Sequence, residues 1–309
     1  MKIINRNTAH PVLGLKRLVN YDFDQEKLIA ATEFSEIYRQ RARCGMSVAV
    51  KIGSTIIAKT VGKGYFIERE AVILNQLDHP NIIRSLCRGR YELKIDKFDC
   101  SFSFLALEYL KDFEDSLKFV ERSNDRIAAA LFIIEEAVRG LAYLHEQGLV
   151  HMDIKPSNIL TNGRIAKLID FALARPEGEE LDIESKYRCI VGHQGYMSHS
   201  RFVDKKAPVK ADDLFALGLT AAELCLPDFF RLRMRCYKDL AERHNEDEDH
   251  KRKIFQASMS VSYEEIRGSR LPESVKELIF RLIGESGRTQ FASAQELLEF
   301  IRQVRASVI

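Results

Sequence analysis

The stretch that decides the fold is VHMDIKPSNIL, residues 150–160. It places a carboxylate, a cation and an amide close together, on Asp153, Lys155 and Asn158. A second acid, Asp170, follows Asn158 by twelve residues and comes directly after the run AKLI at 166–169. This spacing predicts that Asn158 and Asp170 lie at adjacent strand ends. Both side chains offer oxygen, the ligand that Mg²⁺ prefers, so two protein ligands plus phosphates would hold the ion.

These groups match the requirements of phosphoryl transfer. That chemistry needs metal ions to neutralise phosphate charge and a cation on the phosphates that are not transferred. It also needs a carboxylate that orients the attacking hydroxyl and accepts its proton. The sequence therefore favours a phosphoryl-transfer site whose groups come from several strands and loops.

Bulk composition fits one large two-lobed domain or two ordinary domains, since the chain has 309 residues. The apolar content of 46% and the charged content of 30% are typical of a globular protein. The net charge is only +2, which indicates neither a nucleic-acid nor a membrane partner. No window approaches the roughly 20 apolar residues that cross a bilayer, so we expect no membrane span.

The cysteines and the N-terminus indicate the compartment. The six cysteines form no C-x-x-C pair and no spacing that suits zinc, which indicates reduced thiols in a reducing compartment. Residues 1–26 have no recognisable motif and lack the apolar core of about 7–15 residues that a secretory signal needs. We therefore expect a cytoplasmic protein.

The first half of the chain mixes strand and helix patterns. The β-branched run at 47–52 predicts a strand, and residues 101–110 predict a mostly buried strand. Residues 68–77 show helical periodicity, which stops at the sequence DHP of residues 78–80.

The second half is predominantly helical in pattern. Residues 128–147 predict a long helix that ends at Gly148, and helices dominate from about residue 209. The densely charged residues 231–253 predict a solvated helix and loop, with a docking surface as the alternative interpretation.

Residues 151–158 and 170–172 resemble the catalytic loop and the metal-binding motif of the protein kinase family. Further segments resemble that family in the correct order: AVKI at 49–52 (strand-3 lysine), Glu70 (helix-C glutamate), DHPNII at 78–83, EYL at 108–110 (hinge), GHQGYM at 192–197 (end of the activation segment), DLFALG at 213–218 (helix F) and RT at 288–289. A series of ordered matches is far more specific than any single one.

The resemblance implies an α+β, bilobal protein kinase fold, with a small β-rich N-lobe that includes helix C and a larger, mainly α-helical C-lobe. The implied boundaries are an N-terminal extension at 1–26, the N-lobe at 27–107, the hinge at 108–114 and the C-lobe at 115–309.

The resemblance also implies roles for the charged groups. Lys51, nineteen residues before Glu70, would contact the α- and β-phosphates of ATP and be held by Glu70. Asp153 would be the catalytic base, and Lys155 would steady the γ-phosphate. Asn158 and Asp170 would hold Mg²⁺, for which Mn²⁺ is an acceptable substitute.

The remaining implied nucleotide contacts surround the adenine, the ribose and the phosphates. They are Ala30, Thr32 and Phe34 over the phosphates, Ile37, Ala49 and Leu160 around adenine, Leu107 as gatekeeper, the backbone of Glu108 and Leu110 at the hinge, and Glu114 near the ribose.

The glycine-rich loop of the family is changed. Residues 30–38 read AATEFSEIY and contain no glycine. Glycine lets backbone N–H groups approach phosphates closely and accepts positive φ angles. The loss of these glycines predicts weaker ATP binding. The small side chains that replace them still leave room for the phosphates, and we expect Phe34 to cap these phosphates.

Other positions also depart from the family. Met152 replaces an arginine that commonly pairs with an activation-segment phosphate, so we expect activity not to depend on phosphorylation by that route.

The sequence SHS at 198–200 replaces Ala-Pro-Glu and removes the usual partner of Arg288, which costs about 3–5 kcal/mol unless another acid compensates. His193 replaces a threonine that contacts the catalytic acid and lysine, and Ala172 replaces a glycine.

The sequence favours an ATP- and Mg²⁺-dependent kinase acting on Ser/Thr of proteins, because Lys155 two residues after Asp153 is typical of that specificity. Ser185 and Tyr187 are candidate autophosphorylation sites. A pseudokinase or scaffold stays open because the glycines are lost. A small-molecule kinase also stays open, although Lys155 disfavours it. Lys59 is a rival of Lys51 for the strand-3 position.

Overall fold

A computed structural model of the chain describes residues 3–4, 28–31, 35–42, 45–53, 65–95, 98–182, 184, 191–241 and 248–308. The chain divides into two compact units, Met1–Asp112 and Phe113–Ile309. The first is dominated by one sheet and the second by helices, which confirms the α+β class. The residue limits implied for the extension, lobes and hinge stay predictions.

The strands of the described part are β1 (Ile3–Ile4), β2 (Leu28–Ala31), β3 (Ser35–Arg41), β4 (Ser47–Gly53), β5 (Ser85–Ile95), β6 (Phe98–Glu108), β7 (Glu114–Asp115), β8 (Leu149–Val150), β9 (Ile159–Thr161), β10 (Ala166–Leu168) and β11 (Arg175–Pro176). The α-helices are α1 (Tyr65–Leu74), α2 (Ser116–Arg122), α3 (Arg126–Glu146), α4 (His199–Phe202), α5 (Lys210–Cys225), α6 (Phe229–Ala241), α7 (Glu248–Gly268), α8 (Glu273–Ile283) and α9 (Ala294–Val308). Short 3₁₀ turns occur at Pro156–Asn158 and Gln194–Tyr196.

The first unit contains a six-stranded antiparallel sheet in the order β1-β5-β6-β4-β3-β2. The central strand β4 has the predicted β-branched pattern, and Val48 and Val50 are buried. The strand predicted at 101–110 is present, but it begins at Phe98 and ends at Glu108.

Helix α1 packs on this sheet, and it differs in extent from the predicted 68–77. It begins at Tyr65 because Phe66 and Ile67 add a turn to the buried face that includes Glu70. Beyond Leu74 the bonding changes type: the Asn75 N–H still donates to the Ala71 carbonyl at 3.2 Å, but the Gln76 N–H donates to the Ile73 carbonyl at 3.0 Å, which is an i→i−3 bond that ends the helix.

Helix α3 is the long helix predicted at 128–147, and it runs from Arg126 to Glu146. Asp125 caps its N-terminus by accepting the Ala128 N–H at 2.9 Å, and Gly148 follows its C-terminus with φ +71°. It packs against α5 and α9. The contact with α9 includes the buried Glu135, which pairs with arginines of both helices: Arg139, Arg302 and Arg305.

The charged stretch 231–253 lies mostly in α6 and α7, which pack on each other, and residues 242–247 lie outside the described part. Arg252 and Lys253 pair with Asp249 on the exposed side of α7. These pairs agree with the solvated interpretation, but Arg233 of α6 is buried and donates to the Gly195 carbonyl, so part of the stretch belongs to the core. The docking surface is not tested. Among the described residues, no helix is both long and apolar enough to cross a bilayer.

Helix α5 is the buried centre of the second unit, and Gly218 sets how closely α8 approaches it. A Cβ on Gly218 would lie 2.7 Å from Cβ of Leu282 and 3.1 Å from the backbone nitrogen of Ile283. Because the backbone of α8 cannot yield as a flexible side chain can, any larger residue must separate the helices.

Gly218→Ala should therefore destabilise the protein by about 1–3 kcal/mol, even though alanine favours helix. Thermal unfolding should report a lower Tm, by about 2–4 °C per kcal/mol. Gly268→Ala is the matched control, since a Cβ there meets nothing within 4 Å. Equal Tm values for the two variants would contradict this packing argument.

Candidate active site

Lys51, the predicted strand-3 lysine, lies in β4 and contacts a glutamate of α1. Its Nζ lies 2.7 Å from Oε2 of Glu70, and the two side chains are only 3% and 0% exposed. Charges so deeply buried require a partner, so this ion pair fixes α1 to the sheet. The rival Lys59 lies outside the described residues.

Several predicted nucleotide contacts share the sheet face that carries Lys51. Directly opposed residues of neighbouring strands lie on one face. The register pairs Ala30 with Ile37, Ile37 with Lys51, and Ala49 with Leu107. Ala49 and Lys51 are two residues apart in β4, so their side chains lie on the same face of the sheet. The structure thus brings these five residues to one surface. The predicted contacts Thr32 and Phe34 lie outside the described residues.

In the segment predicted as the hinge, the backbone N–H groups of Glu108 and Leu110 differ in their hydrogen bonding. The Glu108 N–H donates to the Arg84 carbonyl at 3.0 Å, and the Glu108 carboxylate accepts the Arg84 N–H at 2.9 Å. Within the described part of the chain, the Leu110 N–H makes no hydrogen bond. Leu110 can therefore donate to a planar acceptor.

Two further predicted nucleotide contacts belong to the second unit. Leu160 is half-buried in β9, between Asp115 of β7 and Lys167 of β10. Glu114 is half-buried in β7 and forms an ion pair with Arg122 of α2. Neither observation tests the predicted adenine and ribose contacts.

The catalytic-loop residues form a connected cluster. Nζ of Lys155 lies 2.8 and 3.1 Å from the two carboxylate oxygens of Asp153. The side-chain amide of Asn158 donates to the Asp153 carboxylate at 2.7 Å and to its backbone carbonyl at 2.8 Å. One carboxylate is thus oriented by two donors from the same short loop.

A buried carboxylate in α5 holds the backbone of this loop. Asp213 accepts the N–H groups of His151 and Met152, each at 2.8 Å, and its Oδ2 also lies 2.8 Å from Nε2 of His145. Burial raises the pKa of Asp213, but these hydrogen bonds and neighbouring histidines lower it more strongly, so the net pKa lies below its ordinary value. Asp213 therefore anchors this loop to α5.

Two residues of the loop region adopt left-handed backbone angles. Met152 has φ +67° and Asp170 has φ +62°. Such conformations cost non-glycine residues about 1–3 kcal/mol and persist only where surrounding contacts impose them. At Met152 the imposing contact is the bond to Asp213, which turns the chain so that Asp153 follows.

His151 is a buried structural histidine. Its Nε2 lies 3.2 Å from the Ile169 carbonyl, and its Nδ1 accepts the Asp153 N–H at 3.3 Å, which assigns the proton to Nε2. Burial lowers its pKa despite the nearby acids, so the ring is neutral, and it packs against Phe171 with centroids 4.6 Å apart. It links the catalytic loop to the segment before Asp170.

The two predicted metal ligands lie at the same end of the β9–β10 hairpin. Asn158 immediately precedes β9, Asp170 follows β10, and the Ile169 N–H donates to the Asn158 carbonyl at 3.0 Å. Because the amide nitrogen of Asn158 is engaged by Asp153, its Oδ1 is left to act as a ligand. The pair therefore fits an oxygen-liganded divalent cation. Among the described residues, no group of three or more His, Cys, Asp or Glu suits a metal, so phosphates and water would complete the coordination.

The altered SHS segment is compensated locally. The hydroxyls of Ser198 and Ser200 both donate to the carboxylate of Asp212, at 3.0 Å for Ser200. Arg288 is paired with Glu277 and, at 2.7 Å, with Glu285. Other acids thus pair with Arg288 in place of the glutamate that the sequence lacks.

His193 lies near the catalytic cluster. Its ring contacts Tyr196 and Phe230, with centroids 5.2 and 5.6 Å away. Desolvation of the packed face, together with the charge of Lys155, lowers its pKa, so it is neutral at physiological pH.

Sequence reasoning missed a buried cluster of Glu184, Arg175 and Arg201. Glu184 lies in a charge-rich stretch that has no helical or strand periodicity, and Arg201 is seventeen residues away. No sequence signal identifies this pairing.

A family model for the protein kinase domain matches residues 23–300. The chain belongs to the protein kinase family. The matched range includes the Lys51–Glu70 pair, the cluster around Asp153 and the anchor Asp213.

Curated relatives of this kinase domain are distant. The 3-phosphoinositide-dependent protein kinase 1 of Arabidopsis thaliana is 26% identical over 68% of this chain and 43% of its own length. Cysteine-rich receptor-like protein kinase 45 of Arabidopsis thaliana is 32% identical over 65% of this chain and 58% of its own. A probable serine/threonine-protein kinase, pknA2, of Bifidobacterium longum is 27% identical over 59% and 23%. The chain thus spans less than two thirds of the length of each.

Asp213→Asn should destabilise the kinase domain by about 3–5 kcal/mol, because the amide group places N–H against N–H and removes a buried charge that His145 pairs with. Since the folded pKa lies below the ordinary 3.8, the stabilisation is fully present above that pH and is lost as pH falls through the folded pKa. The gap between wild type and variant should therefore narrow in acid.

Denaturant unfolding at several pH values measures this gap. Asp182→Asn is the control, because Asp182 is exposed. A gap at neutral pH no larger than that of the control would show that Asp213 is not the anchor of the loop.

Proposed function

We propose that this kinase domain transfers the γ-phosphoryl group of ATP to Ser/Thr hydroxyls of proteins, with a divalent cation. The observation that carries the proposal is the cluster in which Lys155 and Asn158 orient the Asp153 carboxylate within 3.1 Å. A carboxylate held by two donors is preorganised to accept a proton at a defined position.

Four residues of the second unit have separate roles in the proposed reaction. Asp153 aligns the attacking hydroxyl and takes its proton as the new O–P bond forms. Lys155, already beside Asp153, balances negative charge on the transferred group. Asn158 and Asp170 would hold Mg²⁺, which supplies charge neutralisation at the phosphates when bound.

Residues of the first unit would bind the nucleotide. Lys51 is held by Glu70 so that its ammonium group is presented from a rigid sheet, which suits contact with α- and β-phosphates. The small side chain of Ala49 leaves room for an adenine ring on the same face, and the open N–H of Leu110 is a donor for it. Without glycines at 30–38 we expect modest affinity.

Two features support Ser/Thr of proteins as the acceptor. Lys155 two residues after Asp153 is typical of that specificity, and the name of the B. longum relative states serine/threonine specificity for that protein. A panel of sugar and choline acceptors tests the small-molecule alternative, and preferential labelling of these acceptors would favour it.

We also propose a cytoplasmic location. Cys87 and Cys225 are free thiols, and burial raises the pKa of Cys225 to about 12, which makes it an inert thiol. Recovery of the native protein from a secreted fraction, with its cysteines oxidised, would contradict this location.

Asp153→Asn should lower phosphoryl transfer by about 10²–10⁴-fold, because the amide cannot accept the proton. Radiolabel transfer from ATP to a generic protein substrate measures the rate, with Asp182→Asn as control. Equal rates for wild type and Asp153→Asn would sink the proposed role of Asp153.

ATP with Mg²⁺ should stabilise the protein by about 2.7 kcal/mol at a hundredfold excess over the dissociation constant. Asp170→Asn should remove the Mg²⁺-dependent part of this gain and retain the part due to ATP alone. Thermal-shift titrations measure both. Absence of any shift in the wild type would favour the pseudokinase alternative.

A further inference from the structure

The segment that follows Asp170 is held by an ion cluster, which we call the Glu184 clamp and define as Glu184, Arg175 and Arg201. Nη2 of Arg201 lies 2.7 Å from Oε1 of Glu184, and Nη2 of Arg175 lies 3.3 Å from its Oε2. All three side chains are buried. The clamp thus joins β11 to α4 through a single carboxylate.

The Glu184 carboxylate also accepts hydrogen bonds from two backbone N–H groups. The Val191 N–H donates to Oε1 at 2.9 Å, and the Leu181 N–H donates to Oε2 at 3.2 Å. Arg201 is fixed in turn by a bond to the Lys206 carbonyl. Donors from four separate places in the segment therefore meet at Glu184.

Two guanidinium groups and two backbone N–H groups surround this carboxylate, and donors of this kind also bind phosphate groups. Activation segments of kinases are commonly ordered when an added phosphate gathers arginines. Here Met152 stands where such an arginine is usual, and the anion that Arg175 and Arg201 bind belongs to the chain itself.

We propose that Glu184 takes the place of an activation-segment phosphate, so that the clamp keeps residues 175–182 and 191–201 ordered without phosphorylation. Glu184 is thus a positioning residue, which acts on phosphoryl transfer through the segment rather than by touching the reacting groups. The catalytic consequence rests on the proposed function, whereas the ordering does not.

Glu184→Gln tests the clamp, because it keeps the shape of the side chain and removes the charge. Against a protein substrate, its kcat should fall by about 10-fold to 100-fold, while the ATP-induced thermal shift stays unchanged. Glu179→Gln is the matched control, since Glu179 is an exposed carboxylate of the same segment. Its kcat should equal that of the wild type.

Arg201→Met and the double variant Glu184→Gln/Arg201→Met complete a cycle. If the two side chains act as a unit, the double variant should lose no more activity than Glu184→Gln alone. Hydrogen exchange of peptides from 175–182 and 191–201 should accelerate in Glu184→Gln and not in Glu179→Gln, with the rest of the second unit unchanged.

Phosphate independence is tested with wild type freed of phosphate by phosphatase and checked by mass spectrometry. It should retain its activity, as should the variant Ser185→Ala/Tyr187→Phe, whose two positions lie outside the described residues. The proposal would be overturned if either of these proteins lost its activity. It would also be overturned if Glu184→Gln and Glu179→Gln showed the same hydrogen exchange and the same activity. Faster exchange in Glu184→Gln alongside an inactive wild type would support the clamp and overturn the proposed function instead.

Discussion

The buried carboxylate of Asp213 is the constraint on which the catalytic loop depends. It accepts consecutive backbone N–H groups from His151 and Met152, and it is paired with His145 of α3. Helix α5, which carries Asp213, is buried from Phe215 to Cys225, so its position is set by the core. The core therefore dictates the left-handed turn at Met152 and the placement of Asp153.

Departures from the family pattern are balanced by groups close in space. Ser198 and Ser200 share the Asp212 carboxylate, and Arg288 finds partners in Glu277 and Glu285. At Asp212 the reason is energetic, because its carboxylate is buried and a buried charge without a partner costs several kcal/mol, about 3–5. Arg288 is partly exposed, so its ion pairs contribute less. Because these positions have new partners, the fold is retained although the activation segment differs from the family pattern.

The sequence predicted those parts of the site whose contacts are local or follow a strong pattern. Asp153, Lys155 and Asn158 lie within one short loop, and the strand carrying Lys51 is marked by its β-branched run. The ends of α1 were missed because Tyr65 and Phe66 continue the buried face beyond the periodic core of the helix. The Glu184 clamp was missed because it joins residues far apart in the sequence, and β11 and α4 are too short to give a periodic pattern.

In the proposed function, Asn158 and Asp170 would link the cluster around Asp153 to the cation, because the amide nitrogen of Asn158 is held by Asp153 while its oxygen is left to act as a ligand. Crystals grown with Mn²⁺ and a non-hydrolysable ATP analogue test this link directly. We predict an anomalous peak about 2–2.5 Å from Asn158 Oδ1 and from the Asp170 carboxylate, with nucleotide phosphates completing the coordination. Ordered nucleotide without metal at these two residues, or no nucleotide at saturating concentration, would contradict the assignment of this loop to phosphoryl transfer.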